Sequence, residues 1–169
     1  MSGEGEFDRW AARFGEFYAN GSRPEIEFRF SRLLILAARR WSTHIDEVIR
    51  QRTGQPRSRW QTLAALAFSE GPTATIELAE RMAVQWPSLI RTLNDLEAEG
   101  LIERRLNPAD KRSRLVSITG KGLAVFAEVK TVLDPTRAEL LAGFPDEELA
   151  AAERLLARFF SVMGEWAEP

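Results

Sequence analysis

Residues 73–100, TATIELAERMAVQWPSLIRTLNDLEAEG, constrain this chain more than any other stretch. Two short apolar periodicities lie next to each other in it. Ile76, Leu78, Ala79 and Met82 fit one short helix, and Leu89, Ile90, Leu93 and Leu96 fit the inner face of a second. Only Ala83-Val84-Gln85 joins them. Pro87 suits the start of the second helix, where its missing N–H costs nothing, and Gly100 is a natural stop. Two short helices with so tight a connection form a helix-turn-helix. The outward face of the second then carries Ser88, Arg91, Thr92 and Asp95, with Gln85 and Trp86 at its start. The polar members have a size that suits base edges in a major groove. An ordinary helical hairpin satisfies the same pattern.

The next segment narrows the choice. Residues 101–106 fit a strand, Asn107-Pro108-Ala109-Asp110 is rich in turn formers, and residues 114–119 fit a returning strand. A hairpin directly after the second helix makes a wing. Its tip gathers Lys111, Arg112 and Arg114, where a phosphate backbone or a narrow minor groove would pass. Asp110 is expected to orient Arg112 or a neighbour through a charge-assisted hydrogen bond. Thr119 reads as a helix N-cap. The TGKG at 119–122 is not a phosphate loop, because Leu115 stands where the pattern needs glycine.

The flanking segments are helical. Residues 6–18 place Phe7, Trp10, Phe14, Phe17 and Tyr18 on one face, and a long helix is predicted from about Glu25 to Arg52. Ser58 to Ser69 reads as a third helix, with Trp60, Leu63, Ala64 and Ala67 on one side. A helix beginning near Gly120 is expected to be kinked by Pro135. A last helix from about Pro145 carries Leu149, Leu155, Leu156, Phe159, Phe160, Val162, Met163 and Trp166. That stripe is too wide for one contact face and predicts a partner chain, or packing against residues 6–18. The organisation expected is an N-terminal amphipathic extension over 1–24, a dimerisation and pocket helix over 25–57, a winged helix-turn-helix over 58–119, and dimerisation helices over 120–169. The fold class is mainly α with a small β-hairpin wing.

Charge follows the same map. The net charge is −2. Residues 29–61 nevertheless set eight Arg against Asp46 and Glu47, and 101–121 set six Lys and Arg against Glu103 and Asp110. Two basic blocks on a mildly acidic chain point to a localised anion-binding surface.

WPSLIRTLNDLEAEGLIERR (86–105) followed by DKRSRLVSITGKG (110–122) resembles the MarR/SlyA family of winged-helix regulators, and the resemblance covers residues 31–165. It implies a homodimer built from N- and C-terminal helices, bound to a pseudo-palindromic operator in double-stranded DNA. It also implies release by a small phenolic or aromatic carboxylic ligand. The pocket for that ligand is expected beside the long helix at Arg39, Trp41 and His44, with Trp60 nearby; an aromatic wall next to a cation suits an aromatic acid. Three departures stand out: the extension at 6–18, Trp86 where relatives carry a small polar residue or Gln, and Pro135.

There is no Cys and one His, His44, so thiolate chemistry, a multi-histidine metal site and any mechanism with two histidines are excluded. An enzyme is not expected, nor a metal or cofactor. The N-terminus lacks a signal-peptide pattern and no apolar run approaches the ~20 residues of a membrane helix, which suits the cytoplasm. The reading is a cytoplasmic, dimeric DNA-binding repressor, the alternative being a winged-helix interaction module without specific DNA binding.

Overall fold

The structure is a computed structural model and describes residues 13–165. The expected helix over 6–18 lies largely outside these residues, as does Trp166. Where the segment is described it forms a single 3-10 turn, Phe14–Glu16, rather than an α-helix. The chain divides into two compact units, residues 1–47 and 48–169.

In the first unit the chain turns at Gly21, which adopts a left-handed φ of 72°, and enters α1 (Arg23–Thr53). Ser22 Oγ accepts from the Glu25 N–H at 3.4 Å, an N-cap contact. Glu25 reaches back to accept from the Gly21 N–H and from Arg29 Nε at 2.8 Å. The Arg29 bond, with the Gly21 N–H second, holds the Glu25 carboxyl below the usual carboxylate range. Phe14 stacks on Tyr18 at 4.8 Å, and both rings meet Phe28 at 5.2 Å. This cluster ties the turn to the start of α1.

The second unit contains the winged helix-turn-helix. After α1 ends at Thr53, the elements are α2 (Arg57–Ala67), β1 (Thr73–Ala74), α3 (Thr75–Met82), α4 (Trp86–Ala98), β2 (Ile102–Leu106), β3 (Arg114–Ile118), α5 (Gly120–Leu141) and α6 (Asp146–Glu165). Trp60, Leu63 and Leu66 of α2 are buried with Leu78 of α3 and Leu89, Leu93 and Leu96 of α4. Leu101, Ile102 and Val116 of the hairpin and Phe126, Val129 and Leu133 of α5 complete the core. The periodicities of α2, α3 and α4 are therefore those of core-facing stripes. Ile76 departs from the expectation: it sits at the N-terminal end of α3 and is exposed.

The sheet has the order β1-β3-β2, all antiparallel. Ile102 pairs with Ile118 and Leu106 with Arg114, while Thr73 pairs with Val116 on the other edge. Strand β1 is two residues long and too short to leave a periodic signal. Thr119 caps α5 as expected, accepting from the Gly122 N–H at 3.1 Å. Gly122 is required there by space: a Cβ would lie 2.1 Å from the Leu101 carbonyl oxygen and 2.8 Å from Ile118 Cγ1. Pro135 does not end α5, which continues to Leu141. Among the described residues no helix is long and apolar enough to cross a membrane.

Candidate nucleic-acid interface

Helix α4 is held at both ends. Before it, Ala83 takes a left-handed φ of 49°, a conformation a Cβ disfavours, and Gln85 is extended as the N-cap residue. Pro87 follows in the first turn. After it, Gly100 adopts a φ of 69° and the chain turns into β2.

The face of α4 turned away from the core exposes Ser88, Arg91, Asn94 and Asp95, with Gln85 and Trp86 exposed at the start. Thr92 is a correction. It is only 6% exposed, and its hydroxyl donates to the Ser88 carbonyl at 3.1 Å. A threonine that satisfies its hydroxyl on its own helix can sit on the buried side, and Thr92 presents nothing outward. Asn94 takes the outward place that sequence reasoning overlooked.

A network at the C-terminal end of α4 fixes its orientation. Arg59 of α2 grips Glu99 with two 2.6 Å bonds, from Nη1 and Nη2. Lys121 Nζ donates to the Glu99 carbonyl and the Thr119 hydroxyl to the Gly100 carbonyl, each at 2.8 Å. Both caps occupy carbonyls that the helix end would leave unpaired. From β2, Arg104 donates through Nε to Glu97 at 2.9 Å and through Nη2 to Asn94 Oδ1 at 2.8 Å. The Glu97 carboxyl is held below the usual range chiefly by its bond to Arg104, and the Glu99 carboxyl by its bond to Arg59. Sequence reasoning missed Arg59 and Arg104, because partners 40 and 7 residues apart leave no local pattern.

The wing tip is organised through its backbone. Asn107 bonds Ser113 at both main chain (3.1 Å) and side chain (2.9 Å), and its Oδ1 accepts from the Ala109 N–H at 3.0 Å. Asp110 Oδ1 accepts from the backbone N–H of Arg112 at 2.9 Å. Asp110 thus holds Arg112 in place through a charge-assisted bond, as expected, and does so at the backbone N–H rather than at the guanidinium. The side chains of Lys111, Arg112 and Arg114 are exposed. Among the described residues Lys111 and Arg112 have no salt-bridge partner, whereas Arg104, Arg105 and Arg59 each hold a carboxylate. Arg114 is close enough to Glu97 to help depress its pKa.

The residues expected to line a ligand pocket fall on both units. Arg39 and His44 are exposed and Trp41 is 38% exposed on the first unit's part of α1. Trp60 belongs to the core of the second unit. Among the described residues no group of three His, Cys, Asp or Glu is placed to hold a metal ion.

Residues 53–113 match the profile of the MarR family. The whole fold is similar to several solved structures. The transcriptional regulator PA3341 is 27% identical with a TM-score of 0.73, over 80% of this chain and 98% of that one. BldR, a transcriptional regulator from Sulfolobus solfataricus, is 23% identical with a TM-score of 0.71, over 81% and 99% of the two chains. A mutant MarR from E. coli, solved in complex with operator DNA, is 22% identical with a TM-score of 0.68, over 82% and 99%.

Proposed function

Since residues 53–113 are a MarR-family winged helix, we propose that the chain is a homodimeric, sequence-specific DNA-binding regulator of transcription, acting as a repressor in the cytoplasm. The observation that carries this is the pair of unpartnered cations at the wing tip, Lys111 and Arg112, beside a helix whose outward face is polar and held rigid. Cations without carboxylate partners are the ones a phosphate backbone can engage. In this reading Ser88, Arg91, Asn94 and Asp95 address base edges, Gln85 and Trp86 lie at the groove end of the helix, and Lys111, Arg112 and Arg114 contact the flanking backbone or minor groove. A two-fold dimer sets two copies of α4 about one helical turn apart, ~10 bp centre to centre. The operator is then a pseudo-palindrome.

Dimerisation is supported by α6, where Leu155, Leu156, Val162 and Met163 are each more than two-fifths exposed and Phe160 is 76% exposed. A monomer rarely leaves so much apolar surface in water. A second chain covering these positions completes the C-terminal region, as the wide apolar stripe predicts.

Control by a small aromatic acid rests on Arg39, Trp41 and His44, an aromatic residue and two basic residue types close together in the sequence of α1. A ligand that favours a DNA-incompetent arrangement by ~1.4 kcal/mol lowers operator affinity tenfold, and linkage requires operator to weaken the ligand equally. The deciding experiment is selection of bound sequences from random duplex DNA, repeated with a panel of aromatic acids. A two-fold symmetric site is the expected outcome. Binding that ignores sequence would instead favour an interaction module.

A further inference from the structure

Trp86 is the first residue of α4 and 46% of its surface is exposed. The core does not need it: Leu89, Leu93 and Leu96 fill the buried side of the helix. Among the described residues its indole makes no hydrogen bond and no ring contact. Side chains on a helix lean toward its N-terminus. The indole of a first residue therefore projects past the end of the helix rather than over its flank. Its exposed neighbours there are Gln85, Pro87 and Ser88. The only large apolar group on the outward part of α4 thus stands at its leading end, ahead of polar residues that read by hydrogen bonding.

In the major groove a base pair offers donors, acceptors and one apolar group, the 5-methyl of thymine. Ser88, Arg91, Asn94 and Asp95 cannot sense that methyl through a hydrogen bond. An indole can, by excluding water from it. We infer that Trp86 is a specificity-determining residue that packs against the 5-methyl group of a thymine in each operator half-site. This rests on the DNA-binding reading above and adds to it the chemical group recognised. The determinant is the methyl, not the base pair, so a 5-methylcytosine at the same place presents it as well.

The test uses the full chain and a duplex obtained by selection. Each thymine of the half-site is replaced in turn by deoxyuridine, which lacks only the methyl, and affinity is read by fluorescence anisotropy. At one thymine per half-site the wild-type protein should bind about fourfold more weakly, the value of one buried methyl group. Trp86→Ala should bind the thymine and deoxyuridine duplexes alike, and Trp86→Leu, which keeps an apolar surface, should retain part of the difference. With cytosine at that position, 5-methylation should tighten wild-type binding by a similar factor and leave Trp86→Ala unmoved. Methyl effects of equal size in wild type and Trp86→Ala, or none at any thymine, would overturn the inference while leaving sequence-specific binding intact. Failure to select any preferred duplex would instead overturn the DNA-binding reading, and this inference with it.

Discussion

The base and the tip of the wing carry the same kind of side chain to opposite ends. At the base, Arg104 is held by Glu97 and Asn94, and Arg59 and Lys121 close on the end of α4 from neighbouring helices. At the tip, Lys111 and Arg112 have no salt-bridge partner among the described residues, and the loop beneath them is ordered by bonds among Asn107, Asp110, Arg112 and Ser113. Arg104 and Lys121 share one basic stretch of sequence, 101–121, with Lys111 and Arg112. Counting charge treats them alike; pairing separates those that build the structure from those left for a ligand.

The sharpest test of that division is steric and lies at the base. Gly122→Ala places a Cβ against the Leu101 carbonyl, backbone that has no flexible end to move. We expect a loss of about 3 kcal/mol or more, or failure to fold, measured by urea denaturation. A stable variant would mean that α5 and the start of β2 can separate freely.

Next in size is Arg104→Ala. The Arg104 side chain is 16% exposed in its ion pair, and removing a charged donor from partly buried partners costs about 1–3 kcal/mol. Stability should fall while the salt dependence of DNA binding stays the same. The Glu97 bond also fixes a pH dependence. Its folded pKa is depressed, so its contribution is present above the ordinary glutamate value of about 4.3 and is lost as pH falls through the lower folded value. Acid titrations of wild type and Arg104→Ala should therefore converge at low pH. Parallel curves would show that Glu97 draws its shift from elsewhere.

Arg112→Ala inverts the pattern. Stability should change by no more than about 0.5 kcal/mol, as for a surface site. The slope of log affinity against log salt should become shallower by about one to two per dimer, since each lost phosphate contact removes roughly 0.9. An unchanged slope would take the tip out of the interface. The smallest effect is expected at Ala83→Gly. It relieves a left-handed alanine before α4 but loosens the unfolded chain, for a net gain of about 0.5 kcal/mol with sequence preference unchanged.

Much of this was legible in the sequence because it is local. Helical periodicity located α2, α3 and α4; turn residues located the wing; Thr119 announced the cap of α5. What escaped depends on distance or on exceptions. Arg59 and Glu99 meet across 40 positions. Strand β1 exists only because β3 is there to pair with it. Ala83 adopts a conformation that usually advertises itself as glycine or asparagine. Thr92 looked like its polar neighbours, and only its buried hydroxyl bond to Ser88 shows which way it faces. Asn94 was missed for the converse reason, since its outward position is marked by Arg104 rather than by anything nearby in the chain.

The closure at the end of α4 has a mechanical consequence. Arg59, Lys121 and Thr119 fasten the last turn of that helix and its stop to α2 and to the start of α5, and Gly122 lets α5 touch the backbone where β2 begins. The helix therefore has no pivot of its own. A force applied along α5 is delivered to α4 and the wing together, as a push on a handle reaches both prongs of a fork. In the regulator proposed above, a signal that reaches α5 therefore moves α4 and the wing as one body.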